Sequence, residues 1–402
     1  MSLKTKKLIP KRKSSRVIYV STYIPQRCGI ATFTKDVTNA VNMLNPFALA
    51  EIMAIVKPDE NPEFPWEVKY KIEKDNLDSY LEAAKYINNS CADAVMIEFE
   101  FGIFGGNYGE YVLDFVKAVN KPVVITCHTI PEDPKSDYGK VLKKLCPLVS
   151  GISVMMEQSV KKLVTDYQAD RKKIVVIPHG TPDLPFTNSS QYKKDKGLKD
   201  RYVLGNINLI SENKGIEYTI EAVQKIAKKI PEVIYLAIGQ THPGILAKSG
   251  EKYRNLLKKK VKQLGIQKNV RFVNKYVSLE ELIVWLKTMD VYITPYLDPQ
   301  QSSSGALAYA LGAGKPCIST PYKYAKEVLA RGRGIIIPFK DSNAIAKAVI
   351  NLYENKNKRQ KIQQHAYDYG RHMTWSAVAL QHLDLFEAII KKHKNVRLSK
   401  KI

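Results

Sequence analysis

Short apolar runs alternate with amphipathic segments along almost the whole chain, and the series runs twice. Val17-Ile18-Tyr19-Val20 leads through a glycine turn at Gly29 into a helix that sets Phe33, Val37 and Val41 on one face at a spacing of four. Residues 94–97, 123–126, 152–155 and 174–177 follow as strand candidates, with helical patterns between most of them. After a gap the pattern resumes. Leu204-Gly205 opens it, a helix from Gly215 places Ile216, Ile220, Val223, Ala227 and Ile230 at spacings of four, three, four and three, and residues 233–238, 270–273, 291–293, 317–319 and 334–337 read as strands. Such alternation is the mark of a parallel sheet covered by helices on both faces. A length of 402 residues also exceeds one comfortable hydrophobic core. The expected fold class is therefore α/β, with two doubly wound, Rossmann-like domains in tandem.

The gap itself, residues 181–201, is rich in Pro, Asn, Ser and Lys and lacks periodicity, which makes it the linker. The expected layout is a basic tail over 1–16, a first domain over 17–190, a second over 191–373, and a closing helix with a basic tail over 374–402. Thr374 is suited to cap that helix, and Ala379, Leu383, Phe386 and Ile390 give it an apolar stripe fit to pack across the domain junction.

The formal net charge is +24. Seven Lys and Arg crowd the first sixteen residues and six the last twelve, with no acid among either; without these thirteen the body still carries +11. A balance of this kind fits phosphorylated ligands or contact with an anionic membrane. It fits solvated tails equally well, and no helix-turn-helix, zinc-finger or RNP-like pattern supports specific nucleic-acid binding. Hydrophobic content of 45% with a mean hydropathy of −0.26 is that of a soluble globular protein. No apolar run reaches the roughly 18–20 residues of a spanning helix, and the start of the chain lacks a signal-peptide core. A cytoplasmic protein, peripheral at most to the inner membrane face, is expected. The five cysteines are scattered and never spaced as metal-binding pairs, so reduced thiols and no metal site are expected.

The stretch Gln301-Ser302-Ser303-Ser304-Gly305-Ala306-Leu307-Ala308-Tyr309-Ala310-Leu311-Gly312 follows the apolar run 291–296. It reads as a strand, a polar loop and a helix beginning at the serines, which aims free backbone N–H groups and a positive dipole end at whatever precedes them. A phosphate suits that position; an ordinary small-residue helix packed on a sheet is the alternative.

Taken in order, Arg27-Cys28-Gly29-Ile30-Ala31-Thr32-Phe33, Glu100-Phe101-Gly102-Ile103-Phe104-Gly105-Gly106, Thr126-Cys127-His128-Thr129, Ile177-Pro178-His179-Gly180, Asn213-Lys214-Gly215-Ile216 and the serine segment resemble glycosyltransferase family 4, in a bacterial branch. The resemblance implies a GT-B fold and a retaining, metal-independent transferase with no cofactor. It would move a hexosyl unit, mannosyl or glucosyl, from a nucleoside diphosphate sugar to a saccharide, lipid-linked or polyol hydroxyl. It also implies roles by position. Gly29 and Gly305 lie where backbone approaches the donor, Lys214 where an ammonium meets its phosphates, His128 beside the transferred sugar, and Ser302, Ser303 and Ser304 at the phosphate end of the helix. Glu100, Gly105, His179 and Glu327 are further candidates for sugar or acceptor contact. Two departures stand out: Gln301 and Tyr309 occupy positions where the family has glutamates for sugar and ribose, and Leu209 replaces an arginine. A non-catalytic nucleotide-sugar or glycan-binding protein is therefore the second reading, and a basic peripheral protein the third.

Overall fold

The computed structural model describes residues 14–187 and 189–399. Most of the basic first tail and the last three residues of the chain fall outside them. The first sheet has seven strands: β1 (Val17–Ser21), β2 (Glu51–Val56), β3 (Val68–Glu73), β4 (Ala94–Phe99), β5 (Val123–Cys127), β6 (Gly151–Val154) and β7 (Ile174–Val176). Their spatial order is β3-β2-β1-β4-β5-β6-β7, and every pairing is parallel. The second sheet is β8 (Tyr202–Ile207), β9 (Val233–Ile238), β10 (Val270–Val273), β11 (Val291–Thr294), β12 (Cys317–Ser319) and β13 (Ile335–Ile336), ordered β10-β9-β8-β11-β12-β13 and again parallel. β1, β4, β5 and β6 are buried on both faces, which is why they read as unbroken apolar runs rather than alternating ones.

Six helices position the site: α1 (Gly29–Leu44), α2 (Glu157–Tyr167), α3 (Ser190–Lys194), α4 (Ile216–Ala227), α5 (Gly305–Gly312) and α6 (Trp375–Ser399). The expected linker is not structureless. Within it α3 packs on the second domain, where buried Lys193 pairs with Asp290 at 2.6 Å. Local periodicity could not show this, because the helix has five residues and its anchor lies 97 residues away.

The chain crosses between domains twice at one place. Thr181 N–H donates to Met373 O at 2.7 Å, and Trp375 N–H donates to Thr181 O at 2.9 Å. From there α6 returns to the first domain, where Val378, Ala379, Leu383, Phe386, Ile389 and Ile390 share a core with Tyr19, Phe33 and Val37. Gly180 is required at the crossing, since a Cβ there would lie 2.0 Å from the Trp375 ring.

Candidate functional site

Parallel strands direct their carboxyl ends, and the loops that follow them, to one edge of each sheet. In the first domain that edge carries His128, one residue past β5. Its Nε2–H donates to Glu98 Oε2 at 2.9 Å, and both side chains are buried. A carboxylate on Nε2 fixes the tautomer and leaves Nδ1 as an acceptor. Glu98 stands in register with Thr126 on β5, and Thr126 with Ser153 on β6. Phe33, on the first turns of α1, presents its ring edge-on to His128 at 4.9 Å, to His179 at 5.2 Å and to Trp375 at 5.5 Å.

The second domain contributes two adjoining loops. Lys214 follows β8 and precedes α4, its ammonium 4.0 Å from the centre of the Tyr296 ring. Burial pulls its pKa down to about 8, against the opposing pull of Asp298. The left-handed turn at Gly215, with φ +60°, lets this loop sit against the one after β11, because a Cβ would meet Pro295 O at 2.1 Å. Leu297 N–H donates to Asn213 O at 2.9 Å and ties the two loops together. The serine run then caps α5: Ser304 Oγ accepts from Leu307 N–H at 3.3 Å, and Gln301 Nε2 donates to Ser303 O at 2.9 Å.

The two edges face each other and touch. Ser302 Oγ donates to His128 O at 2.7 Å, and Thr32 Oγ1 and Tyr276 Oη are 3.2 Å apart. His179, on the segment after β7 that crosses between the domains, lies under this junction with Nδ1–H on Gly180 O at 2.7 Å; burial first, and then nearby His128, lower its pKa to about 4. Gly305 lets the start of α5 approach this ring, since a Cβ there would sit 2.9 Å from His179 Nε2.

Several candidates make protein contacts of their own. Tyr309 donates its hydroxyl to Asp36 Oδ2 on α1 at 2.6 Å, across the domain boundary. Glu327 receives the first backbone N–H groups of α2, from Glu157 at 2.8 Å and Gln158 at 3.3 Å, so its carboxylate caps a helix of the other domain. Glu100 accepts from Thr129 Oγ1 at 2.6 Å. At Gly105 the requirement is a tight turn, because a Cβ would overlap Lys74 O at 1.7 Å. Gly29 opens α1, and a Cβ there would meet no protein atom within 4 Å.

Glu98 and Asp36 carried no recognisable signal. Glu98 lies inside an apolar strand, where a single buried carboxylate is the only anomaly, and Asp36 lies on a helix facing a partner 273 residues away. Burial raises the Asp36 pKa to about 6 despite the bond from Tyr309 and the charge of Lys35. Among the described residues, no group of three or more His, Cys, Asp or Glu could hold a metal ion, and no helix is long and apolar enough to cross a membrane.

Residues 188–369 match the family model described as Glycosyl transferases group 1. The match covers the second domain, a little under half of the chain. An uncharacterized glycosyltransferase of Methanocaldococcus jannaschii is 26% identical over 257 residues, 63% of this chain and 62% of its own length. A D-inositol 3-phosphate glycosyltransferase of Corynebacterium efficiens is 22% identical over 284 residues, 66% of this chain and 65% of its own. The matches thus span a little under two thirds of these relatives. Among solved structures, Anabaena HepE in complex with UDP-glucose aligns with a TM-score of 0.71 at 14% identity, over 92% of this chain and 99% of its own. That likeness extends the glycosyltransferase fold, GT-B, to both domains. HepE has also been solved in complex with UDP, at 13% identity and a TM-score of 0.70.

Proposed function

We propose that the chain is a retaining, metal-independent glycosyltransferase of family 4. It moves a hexosyl unit, mannosyl or glucosyl, from a nucleoside diphosphate sugar to a saccharide, lipid-linked or polyol hydroxyl. The single observation that carries this reading is the Ser302–His128 contact, which brings the serine-capped end of α5 and the end of β5 to one cleft. The names of the relatives and the HepE complex supply the chemistry: one is a D-inositol 3-phosphate glycosyltransferase, the other is bound to UDP-glucose.

In this reading residues 191–373 bind the donor and 17–190 present the acceptor. The diphosphate lies against the N-terminus of α5, with Ser302, Ser303 and Ser304, and against Lys214, while Gly29 leaves room for it on the facing domain. The acceptor oxygen forms its bond to the anomeric carbon as the bond from that carbon to the phosphate oxygen breaks. The acceptor proton passes to the departing phosphate oxygen, and the electron pair of the broken bond stays on the diphosphate. Lys214 stabilises that growing charge. His128 and Gln301 orient the sugar.

The second reading, a non-catalytic nucleotide-sugar or glycan-binding protein, is favoured by one observation: Tyr309, placed where the family has its ribose glutamate, spends its hydroxyl on Asp36. A panel of GDP-mannose, UDP-glucose, UDP-N-acetylglucosamine and ADP-glucose, scored by thermal shift and by hydrolysis without added metal, separates them. Stabilisation with slow hydrolysis by one donor supports the enzyme. Stabilisation with neither hydrolysis nor transfer to any acceptor supports the binder, and no response to any donor refutes both.

A further inference from the structure

α1 and α6 both begin at the cleft. The first turns of α1 hold Thr32, Phe33 and Asp36 against the second domain, and Trp375, the first residue of α6, touches Phe33 and His179. Both helices then run to the opposite pole of the first domain, each carrying its chain about 24 Å from the cleft over sixteen residues. Three features arrive there together. Met43 is 82% exposed and Phe47 89%, the two most exposed large apolar side chains among the described residues, with Leu44 and Leu49 beside them. The root of the basic first segment is pinned to the same loop, since Asn45 Nδ2 donates to Ser15 O at 2.9 Å. Lys391, Lys392 and Lys394 stand exposed at the end of α6, whose Leu383 and Glu387 line a recess with Ser14, Ser15, Leu44 and Phe47. The acids near this pole are Glu51 at the start of β2, Asp384 and Glu387 on α6, and Asp93, which lies 3.8 Å from Lys394.

We propose that this pole docks on an anionic lipid bilayer. Met43 and Phe47 enter the interface, and Lys391, Lys392 and Lys394 lie on the headgroups. Bulky apolar side chains beside a cluster of exposed lysines match a surface that is both apolar and negative, which neither water nor a nucleic-acid backbone supplies. The orientation has a consequence for the acceptor, which rests on the transferase reading above. The cleft stands off the bilayer by roughly the length of α1, about 24 Å. The acceptor hydroxyl is then the far end of a saccharide chain or a soluble polyol, not a sugar or inositol at headgroup level.

Sedimentation with phosphatidylcholine vesicles, with and without about 30 mol% phosphatidylglycerol, tests the docking without any donor present, so a failed transferase assay leaves it standing. Binding is expected to the anionic vesicles only and to weaken in roughly 0.5 M salt. A Met43→Ser/Phe47→Ser double variant, whose side chains support no core, should melt as the wild type does and bind about tenfold more weakly. Four results overturn the proposal. They are no binding to anionic vesicles, equal binding to neutral ones, undiminished binding by the double variant, and self-association or RNA binding in place of vesicle binding. Transfer to an acceptor at headgroup level, with vesicle binding intact, would overturn the acceptor inference alone.

Discussion

If Lys214 meets the donor diphosphate, nucleotide binding must take up a proton above neutral pH. Burial sets its pKa at about 8, so the free ammonium is about 10% deprotonated at pH 7, about 50% at pH 8 and about 90% at pH 9. A diphosphate beside it returns the pKa toward the ordinary lysine range and keeps the group charged in the complex. Proton uptake on binding should then rise from ~0.1 at pH 7 through ~0.5 at pH 8 to ~0.9 at pH 9, and affinity should fall about tenfold from pH 7 to pH 9. Isothermal titration calorimetry with UDP or GDP, in two buffers of different ionisation enthalpy, reads the uptake directly. The terminal phosphate of the nucleotide, with a second pKa of ~6, is about 10% protonated at pH 7 but essentially fully ionised at pH 8 and 9, so uptake at those two pH values reports on Lys214. Lys214→Met should abolish the uptake and its pH dependence. Binding whose heat is indifferent to buffer at pH 9 in the wild type would refute the placement of the diphosphate on Lys214.

Other substitutions probe the same junction. Asp36 and His179 pull stability in opposite directions with pH. Asp36, raised to about 6, binds more protons folded than unfolded, so it adds stability as pH falls from about 6 to about 4. His179, lowered to about 4, binds fewer and removes stability as pH falls from about 6.5 to about 4, each by at most about 3 kcal/mol. His179→Asn should therefore leave a fold that gains stability on acidification, and Asp36→Asn one that loses it more steeply than the wild type; urea melts at pH 4.5 and 7 that keep the wild-type difference in both variants would contradict this. Glu98→Gln, which keeps a partner for His128 but removes the charge, should lower kcat by on the order of tenfold with KM unchanged, and an unaltered kcat would detach Glu98 from the reaction. Ser304→Ala removes the cap of α5 and should cost about 1 kcal/mol of stability, read as a lower melting temperature, and also weaken UDP binding.

The tandem architecture was legible because it rests on a pattern that repeats locally. A strand buried on both faces has to be apolar throughout, so β1, β4, β5, β6 and β9 announce themselves. β3 did not. Its sequence alternates, VKYKIE, because it is an edge strand with lysines turned outward, and with only Ile72 fully buried it resembles surface loop. β2 was overlooked with it, although Glu51–Val56 is apolar and buried after its first residue; its exposed approach, from Met43 to Leu49, hid a strand start among surface apolar residues. Motifs within one loop were likewise readable: the turn at Gly215 and the cap at Ser304 depend on neighbours in sequence. Glu327 was not, since a carboxylate that caps a helix 170 residues upstream looks on paper like any surface acid.

The replacement at position 309 follows from the same distinction. Considered along α5 alone, a tyrosine in place of an acid is a loss of ribose-binding capacity. Across the cleft, however, the side chain faces Asp36, and the two elements are brought together at the crossing of Thr181 and Trp375, against which Gly305 and Gly312 of α5 pack. A glutamate at 309 would set two carboxylates against each other in a half-buried junction, where one would have to take up a proton or the domains would have to part. A phenol supplies a donor of the right reach and satisfies Asp36 instead of opposing it. Tyr309 is thus coupled to a residue on the other domain, and its hydroxyl helps to hold the domains together; under the proposed reading it does so at a position where the family holds a ligand. In the proposed reading donor affinity then rests on Lys214, the serines and the dipole of α5, which is why the protonation of Lys214 is the sharper probe of the site.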